Sequence, residues 1–192
     1  MDRAPARPRR RADAERSIER IVSAARERLS RDPDATVDDI AKAAGVGRMT
    51  VYGHFRTRPE LVEAALAGAL RAGEETLGGV DLGGDARDAL TRLLASSWAL
   101  VAESAALLTA AQDVLAPGRI RDLHGDAADR VENLVRRGQR QGVFRTDLPV
   151  AWLVSSMQYI LHGAAEEIRA GRLANADATR IVTATVLSIL RR

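Results

Sequence analysis

The stretch that decides the fold is residues 36–55, which read TVDDIAKAAGVGRMTVYGHF. Thr36, with an aspartate three residues later, matches a helix N-cap followed by an acidic first turn, so a helix is predicted over residues 37–44. Gly45-Val46-Gly47 ends that helix, because glycine adopts a positive φ at a helix C-terminus without a steric penalty. A second short helix is predicted over residues 48–55.

The spacing of small and aliphatic residues in this stretch is typical of a helix-turn-helix. Ala41 lies where the two helices would cross, Gly45 makes the turn four residues later, and Val51 fills the core from the second helix six residues after that. The pattern predicts a pair of helices that pack against each other at a steep angle.

Helices are also predicted on both sides of this pair. Upstream, from Ala12, apolar residues recur at helical spacing on one face: Ile18, Ile21, Val22, Ala25 and Leu29. Asp32-Pro33 ends that helix, since the residue before a proline disfavours the helical conformation. Downstream, Thr57 as cap and Pro59 in the first turn begin a fourth helix that reaches about Leu77.

Residues 14–66 resemble the DNA-binding head of the tetracycline-repressor (TetR) family, with residues 36–55 and the following Arg58-Pro59-Glu60-Leu61 in register. The composition favours an all-α protein, the patterns along the whole chain indicate nine or ten helices, and the resemblance implies the same fold class. The resemblance also implies a three-helix helix-turn-helix DNA-binding domain, followed by a helical-bundle domain for dimerisation and ligand binding. The expected domains are a disordered basic tail (1–12), the DNA-binding domain (13–58) and the effector-binding and dimerisation domain (59–192).

Side chains near the start of a recognition helix are placed to contact base edges in the major groove. Arg48, Met49, Thr50 and Tyr52 occupy that region, and Gly47, directly before them, is also a candidate DNA contact. Arg48 suits guanine O6 and N7 or a phosphate, Thr50 suits either, and Met49 suits a thymine methyl group. A nonspecific solvated charge is the other interpretation of Arg48.

By resemblance, Tyr52, His54, Thr36 and Arg58 are expected to donate to backbone phosphates, and Phe55 is expected in the core. Packing remains an alternative for Tyr52, and a surface or capping role remains one for His54. Gly53 lowers helix stability by up to about 1 kcal/mol relative to alanine, which a close approach of the backbone to DNA would offset.

Charge is distributed unevenly along the chain. Residues 1–60 hold fourteen Arg or Lys against ten Asp or Glu, and the remainder holds fifteen against sixteen. The excess positive charge therefore lies where a polyanion would bind. The tail, MDRAPARPRRR, is either a solvated segment or an arm that contacts the DNA backbone or minor groove.

The rest of the chain also has helical patterns. Helices are predicted over 86–103, around 107–115 before Pro117-Gly118, over 120–140, from Asp147 or Pro149 to about 170, and from about Asp177 to 190. A single head covers one half-site, so a two-fold dimer on a palindromic operator is expected, with recognition helices roughly 34–36 Å apart or a multiple of that distance.

The last two predicted helices are the candidates for the homodimer interface. Their apolar faces are wide and include small residues, which permit close helix crossing: Ala151, Val154, Ser155, Ile160, Gly163, Ala164, Ile181, Val182, Thr185, Val186, Ile189 and Leu190. Completion of each monomer's own core is the alternative use of these faces.

A mixture of apolar and singly polar residues on the later helices suits a small-molecule effector pocket. The candidates are Trp98, Leu108, Gln112, Trp152, Gln158, Tyr159 and His162. Each is also compatible with ordinary core packing. The function expected from the resemblance is a sequence-specific DNA-binding transcriptional regulator, a repressor released by a small-molecule effector. A DNA-binding adaptor or architectural protein with a filled core and no small-molecule ligand is the alternative function.

Other classes of function have little support in the sequence. The chain has no cysteine and three histidines, and no glycine-rich phosphate loop follows a strand, which disfavours an enzyme. His162 and Glu166 lie one helical turn apart, but no further histidine or cysteine completes a metal site. No cofactor, signal peptide or membrane span is expected, and the cytoplasm is the expected location.

Overall fold

The computed structural model describes residues 7–192, with side-chain environments from Ala12 onward, and this part of the chain folds into nine α-helices without a strand. The all-α prediction is therefore confirmed. The helices are α1 (Arg7–Arg31), α2 (Val37–Ala44), α3 (Arg48–His54), α4 (Arg58–Leu77), α5 (Ala86–Gln112), α6 (Pro117–Leu123), α7 (Gly125–Arg140), α8 (Val150–Arg169) and α9 (Asn175–Ile189).

The helices form two compact units. The head unit comprises the described part of Met1–Ala69 together with Ala106–Ile120, and the body unit comprises Leu70–Ala105 and Arg121–Arg192. Residues 58–69 of α4 belong to the head unit and residues 70–77 to the body unit. Likewise, α5 contributes residues 86–105 to the body unit and 106–112 to the head unit.

The core of the head unit joins α1 to α4 through aliphatic side chains. Its fully buried residues include Ile21, Leu29, Ile40, Val51, Leu61, Val62, Leu66 and Leu107. The apolar stripe predicted for α1 is confirmed at its C-terminal end, whereas Ile18 is exposed. The stripe therefore begins one turn later than the spacing suggested.

The core of the body unit is built from α5, α7, α8 and α9 around residues such as Leu90, Trp98, Phe144, Leu153, Met157 and Val186. Gly138 on α7 is required for this packing, because a Cβ at that position would lie 2.0 Å from Cδ2 of the buried Phe144 ring. The Phe144 ring thus occupies the space that the Cβ of any residue other than glycine would need at position 138.

Three predicted helix boundaries between residues 104 and 124 were wrong. α5 is continuous to Gln112, since no glycine or proline interrupts residues 104–111. Pro117 begins α6 instead of closing the preceding helix, as its fixed φ permits at a first helical position. The helix predicted over 120–140 is divided at His124, whose backbone (φ −89, ψ 7) leaves the helical region between α6 and α7.

The tail prediction lies partly outside the described residues, which exclude 1–6. α1 begins at Arg7, five residues earlier than predicted, and so includes part of the arginine-rich segment. Arginine favours helix and Pro8 falls in the first turn, where no backbone hydrogen bond is lost, so this start is physically reasonable.

One helix, α5, is long and apolar enough by composition to cross a membrane. In the body unit its side chains Leu90, Leu93, Leu94 and Trp98 are buried in the core. A buried core helix passes the same test, so this single helix is weak evidence for a membrane span.

Candidate nucleic-acid interface

The start of α2 is held by a complete capping box. The Thr36 hydroxyl oxygen accepts from the backbone N–H of Asp39 (3.2 Å), and Asp39 Oδ2 accepts from the backbone N–H of Thr36 (3.0 Å). The Thr36 hydroxyl also donates to Asp39 Oδ2 (2.6 Å). These bonds lower the pKa of Asp39, with the Thr36 hydroxyl as the main cause and the Thr36 backbone as the second.

The turn between α2 and α3 follows the predicted pattern. Gly45 has φ 67, in the left-handed region, and the backbone N–H of Val46 donates to the carbonyl of Ala41 (3.0 Å). Ala41 and Val51 are both buried, with 3% and 1% of their surface exposed. The crossing of the two helices is thus fixed by the residues that the sequence indicated.

Burial of Val51 sets which side of α3 faces solvent. Arg48, Met49 and Thr50 are exposed, and Met49 retains 81% of its surface. Such an exposure is unusual for a large apolar side chain on a helix whose opposite face is buried. α3 therefore presents a cationic, an apolar and a hydroxyl side chain together at its N-terminal end, which is the mixture that suits base edges.

Two neighbours restrain the Arg48 guanidinium. Nη1 donates to Oδ2 of Asp38 on α2 (2.7 Å), and Cζ lies 5.4 Å from the centroid of the Tyr52 ring one turn along α3. The pKa of Arg48 is raised, first by its interaction with the Tyr52 side chain and then by Asp38. Arginine is protonated at any ordinary pH, so this shift changes no charge.

Arg58 has a structural role. Its guanidinium donates through Nη2 to the carbonyl of Pro33 (2.9 Å) and through Nη1 to the carbonyl of Ala35. It therefore ties the start of α4 to the loop between α1 and α2. The predicted phosphate contact would have to use the donors that these carbonyls leave free.

The remaining predicted DNA contacts occupy the same region of the head unit. Gly47 is exposed at the N-cap of α3 in an extended conformation (φ −74, ψ 151), and Tyr52 and His54 are half-buried. Phe55 is also half-buried, so it is not the core residue that was predicted. Both donors of Thr36, its hydroxyl and its N–H, are already used within the capping box.

The predicted effector residues are divided between the two units. Leu108 and Gln112 belong to the head unit, and Trp98, Trp152, Gln158, Tyr159 and His162 belong to the body unit. Trp98 and Leu108 are buried, and Gln158 and His162 are half-buried. Gln112, Trp152 (57% exposed) and Tyr159 (72%) are exposed, which corrects the expectation that they line an interior pocket.

Sequence reasoning missed two partners of predicted residues. Asp38 lies ten positions before Arg48, a separation that no helical periodicity links. His124 packs edge-on against His162, with ring centroids 6.0 Å apart. Burial, and secondly the charge of His124, lower the pKa of His162 to about 4.

Residues 21–65 match the family model described as bacterial regulatory proteins of the tetR family. The HTH-type transcriptional regulator TtgW of Pseudomonas putida is 45% identical over 58 residues, which are 29% of this chain. The match spans 43% of that relative's length. The residues matched by the family model include the whole helix-turn-helix, α2 and α3.

Similarity of fold extends much further. A TetR-family transcriptional regulator from Agrobacterium tumefaciens superposes with a TM-score of 0.73 at 18% identity, over 93% of this chain and 100% of that chain. The TetR-like regulator LfrR of Mycobacterium smegmatis, solved in complex with proflavine, gives 0.72 at 21% identity over 93% and 98%. At these identities the likeness shows the fold alone.

Proposed function

Because this chain belongs to the TetR family of bacterial regulatory proteins, we propose that it is a sequence-specific, DNA-binding transcriptional regulator that acts as a homodimer. The observation that supports this function best is the exposed N-terminal end of α3, where Arg48, Met49 and Thr50 project from a rigid helix-turn-helix. A helix presented in this way enters the major groove with those side chains toward the bases.

Dimerisation through α8 and α9 is part of the proposal. Trp152 and Tyr159 lie seven residues, or about two turns, apart on α8 and are the most exposed aromatic side chains among the described residues. On α9 the exposed positions include the small residues Ala184, Thr185 and Ser188. Large apolar groups on one helix and small ones on the other allow two copies to interlock, with Trp152 and Tyr159 buried in the process.

We also propose that a small-molecule effector releases the operator, so that the protein acts as a repressor. The fourth helix, α4, contributes residues to both units, which offers a direct route for coupling. The effector need only bind more tightly to the conformation in which the two heads of the dimer do not fit the operator. LfrR, which shares the fold, was solved with proflavine bound.

Unpartnered donors in the body unit support a ligand with acceptor atoms. Trp98 Nε1, and Nε and Nη2 of Arg137, are buried without a hydrogen-bond partner among the described residues. A buried polar group without a partner is costly, so an acceptor from outside the chain would be stabilised there. A DNA-binding adaptor without a small ligand remains the second candidate function, and it requires those donors to stay unpaired or bind water.

Selection of bound duplexes from a random-sequence pool, followed by sequencing, tests the proposed function. The selection is carried out at two salt concentrations, because phosphate contacts make affinity steeply salt-dependent. Recovery of one inverted repeat at both concentrations is the expected result. Binding that is salt-sensitive but enriches no sequence would contradict the assignment of a sequence-specific regulator.

A further inference from the structure

Asp38 and Arg48 come from different helices, and the helix-turn-helix brings them into contact. Asp38 is in the first turn of α2, between Val37, which is buried, and Asp39 of the capping box. Arg48 is the first residue of α3, and its Nη1 donates to Asp38 Oδ2 at 2.7 Å. Both side chains keep more than half of their surface exposed, 58% for Asp38 and 57% for Arg48.

An exposed ion pair of this kind contributes little to folding stability. Its other effect is on the conformation of the arginine, a long side chain that samples many rotamers in solution. Arg48 is restrained twice, by the Asp38 carboxylate at its Nη1 and by the Tyr52 ring 5.4 Å from Cζ. The guanidinium plane is thereby oriented before any DNA arrives.

The restraint leaves donors available. Asp38 accepts from Nη1, and no carboxylate or carbonyl among the described residues accepts from Nε or Nη2 of Arg48. The Tyr52 side chain is the other group that interacts with the guanidinium, so a base that replaces it as acceptor meets an edge that is already oriented. Two parallel donors on one edge of a guanidinium match the O6 and N7 acceptors of guanine, the commonest specific contact that arginine makes in the major groove.

We propose that Asp38 is a positioning and specificity-determining residue, which fixes the Arg48 guanidinium so that its Nε–Nη2 edge reads one guanine in each half-site. This inference rests on the proposed DNA-binding function and deepens it. Asp38 itself touches no base; it acts through Arg48.

The negative charge of Asp38 has a second consequence. A carboxylate beside the recognition helix repels phosphates, so it weakens binding to every DNA sequence by a similar factor. Orientation of Arg48, in contrast, strengthens binding only where guanine is present. A uniform factor cancels in the ratio of operator affinity to random-duplex affinity, so Asp38 contributes to specificity through its orientation of Arg48 and not through its charge.

The test compares two variants with the same change of charge. Asp38→Asn removes the carboxylate that holds Arg48. Asp34→Asn removes a carboxylate from the exposed loop before α2 that forms no ion pair among the described residues. Dissociation constants are measured for the selected operator, for operators with each base pair substituted in turn, and for random duplex.

Both variants are expected to bind random duplex more tightly than the wild type. Only Asp38→Asn is expected to bind the substituted operators with less of a penalty. The ratio of dissociation constants for the substituted and the selected operator should fall by about 5- to 20-fold, and only where one guanine per half-site is replaced. Asp38→Glu, which keeps the charge, should retain part of the wild-type discrimination at that guanine. In an Arg48→Ala background, Asp38→Asn should leave the discrimination profile unchanged.

Equal profiles for Asp38→Asn and Asp34→Asn would overturn the inference, because Asp38 would then act through charge alone. Discrimination lost evenly at all positions would also overturn it. If wild-type protein itself selects no operator, the proposed function fails, which is a different outcome from either of these. Circular dichroism of each variant checks that the fold is retained.

Discussion

At the scale of single residues, neighbouring positions of the head unit have different roles: some side chains are buried and stabilise the fold, and others are exposed and available to bind DNA. Val51 and Arg48 are three residues apart on α3, yet the first is buried and the second exposed. Arg58, expected from family resemblance to contact phosphate, is bonded to the carbonyls of Pro33 and Ala35. Sequence spacing locates such residues, but it does not reveal which acceptors lie nearby in the fold.

Substitution Arg48→Ala should weaken operator binding by about 10- to 100-fold, because a bidentate contact to guanine is lost. The fold and dimer should be unaffected, since the side chain is exposed. Fluorescence anisotropy with labelled operator gives the affinity. Arg136→Ala, which removes the same charge from an exposed position on α7, is the control, and an equal loss in the control would contradict the assignment of α3.

Substitution Gly138→Ala should lower the free energy of unfolding by about 1–3 kcal/mol, because the new Cβ collides with the Phe144 ring. Urea denaturation followed by circular dichroism measures the change. Gly125→Ala on the same helix meets no atom within 4 Å and serves as the control. A Gly138→Ala protein as stable as the wild type would show that the ring moves aside freely.

At the scale of elements, short-range signals predicted some helices accurately and others poorly. α2 was predicted with its correct bounds because its start and its stop are both encoded locally, by the Thr36 capping box and by Gly45. The separation of α6 from α7 at His124 has no proline to mark it. α5 was divided in the prediction although its sequence supports one continuous helix, so weak apolar periodicity misled there.

The capping box of α2 gives a prediction at this scale. Thr36→Ala should destabilise the protein by about 1 kcal/mol, since the Asp39 N–H loses its side-chain acceptor and the Asp39 carboxylate loses the hydroxyl. Thermal unfolding at neutral pH measures the effect. Thr36→Ser retains the hydroxyl, and it should keep most of the wild-type stability; equal losses in the two variants would exclude capping as the cause.

At the scale of the whole molecule, the helices of the head unit were predicted more closely than those of the body unit. The helix-turn-helix is formed by contiguous residues, and the single turn at Gly45 fixes the spacing between its two helices. Effector candidates come from helices far apart in sequence, and the exposure of Trp152 and Tyr159 depends on how α8 packs against α7 and α9. Composition alone does not determine which face of an apolar helix is left uncovered.

The pair His124 and His162 makes stability depend on pH. The pKa of His162 is lowered to about 4 in the folded chain, chiefly by burial, so the unfolded chain binds this proton first as the pH falls. The free energy of unfolding should therefore decrease between about pH 6.5 and pH 4. His162→Gln should remove this contribution, as measured by urea titrations across that range, whereas His54→Gln should not.

The proposed dimer predicts the effect of a charge on α8. Tyr159→Glu should convert the dimer to monomer in analytical ultracentrifugation and weaken binding to the inverted repeat, because a carboxylate would be buried between two copies. The monomer fold should survive, since Tyr159 is 72% exposed. Thr91→Glu, at an exposed position of α5, is the control. A Tyr159→Glu protein that remains dimeric would place the interface elsewhere.

Photocrosslinking shows most directly whether α3 is the surface that meets DNA. Operator duplexes carrying 5-iodouracil in place of single thymines are bound, irradiated and digested, and the attached peptides are identified by mass spectrometry. Crosslinks are expected within residues 47–55, foremost at Met49, whose side chain is placed for a thymine methyl group. Crosslinks confined to residues 85–192 would contradict the assignment of α3 as the recognition helix.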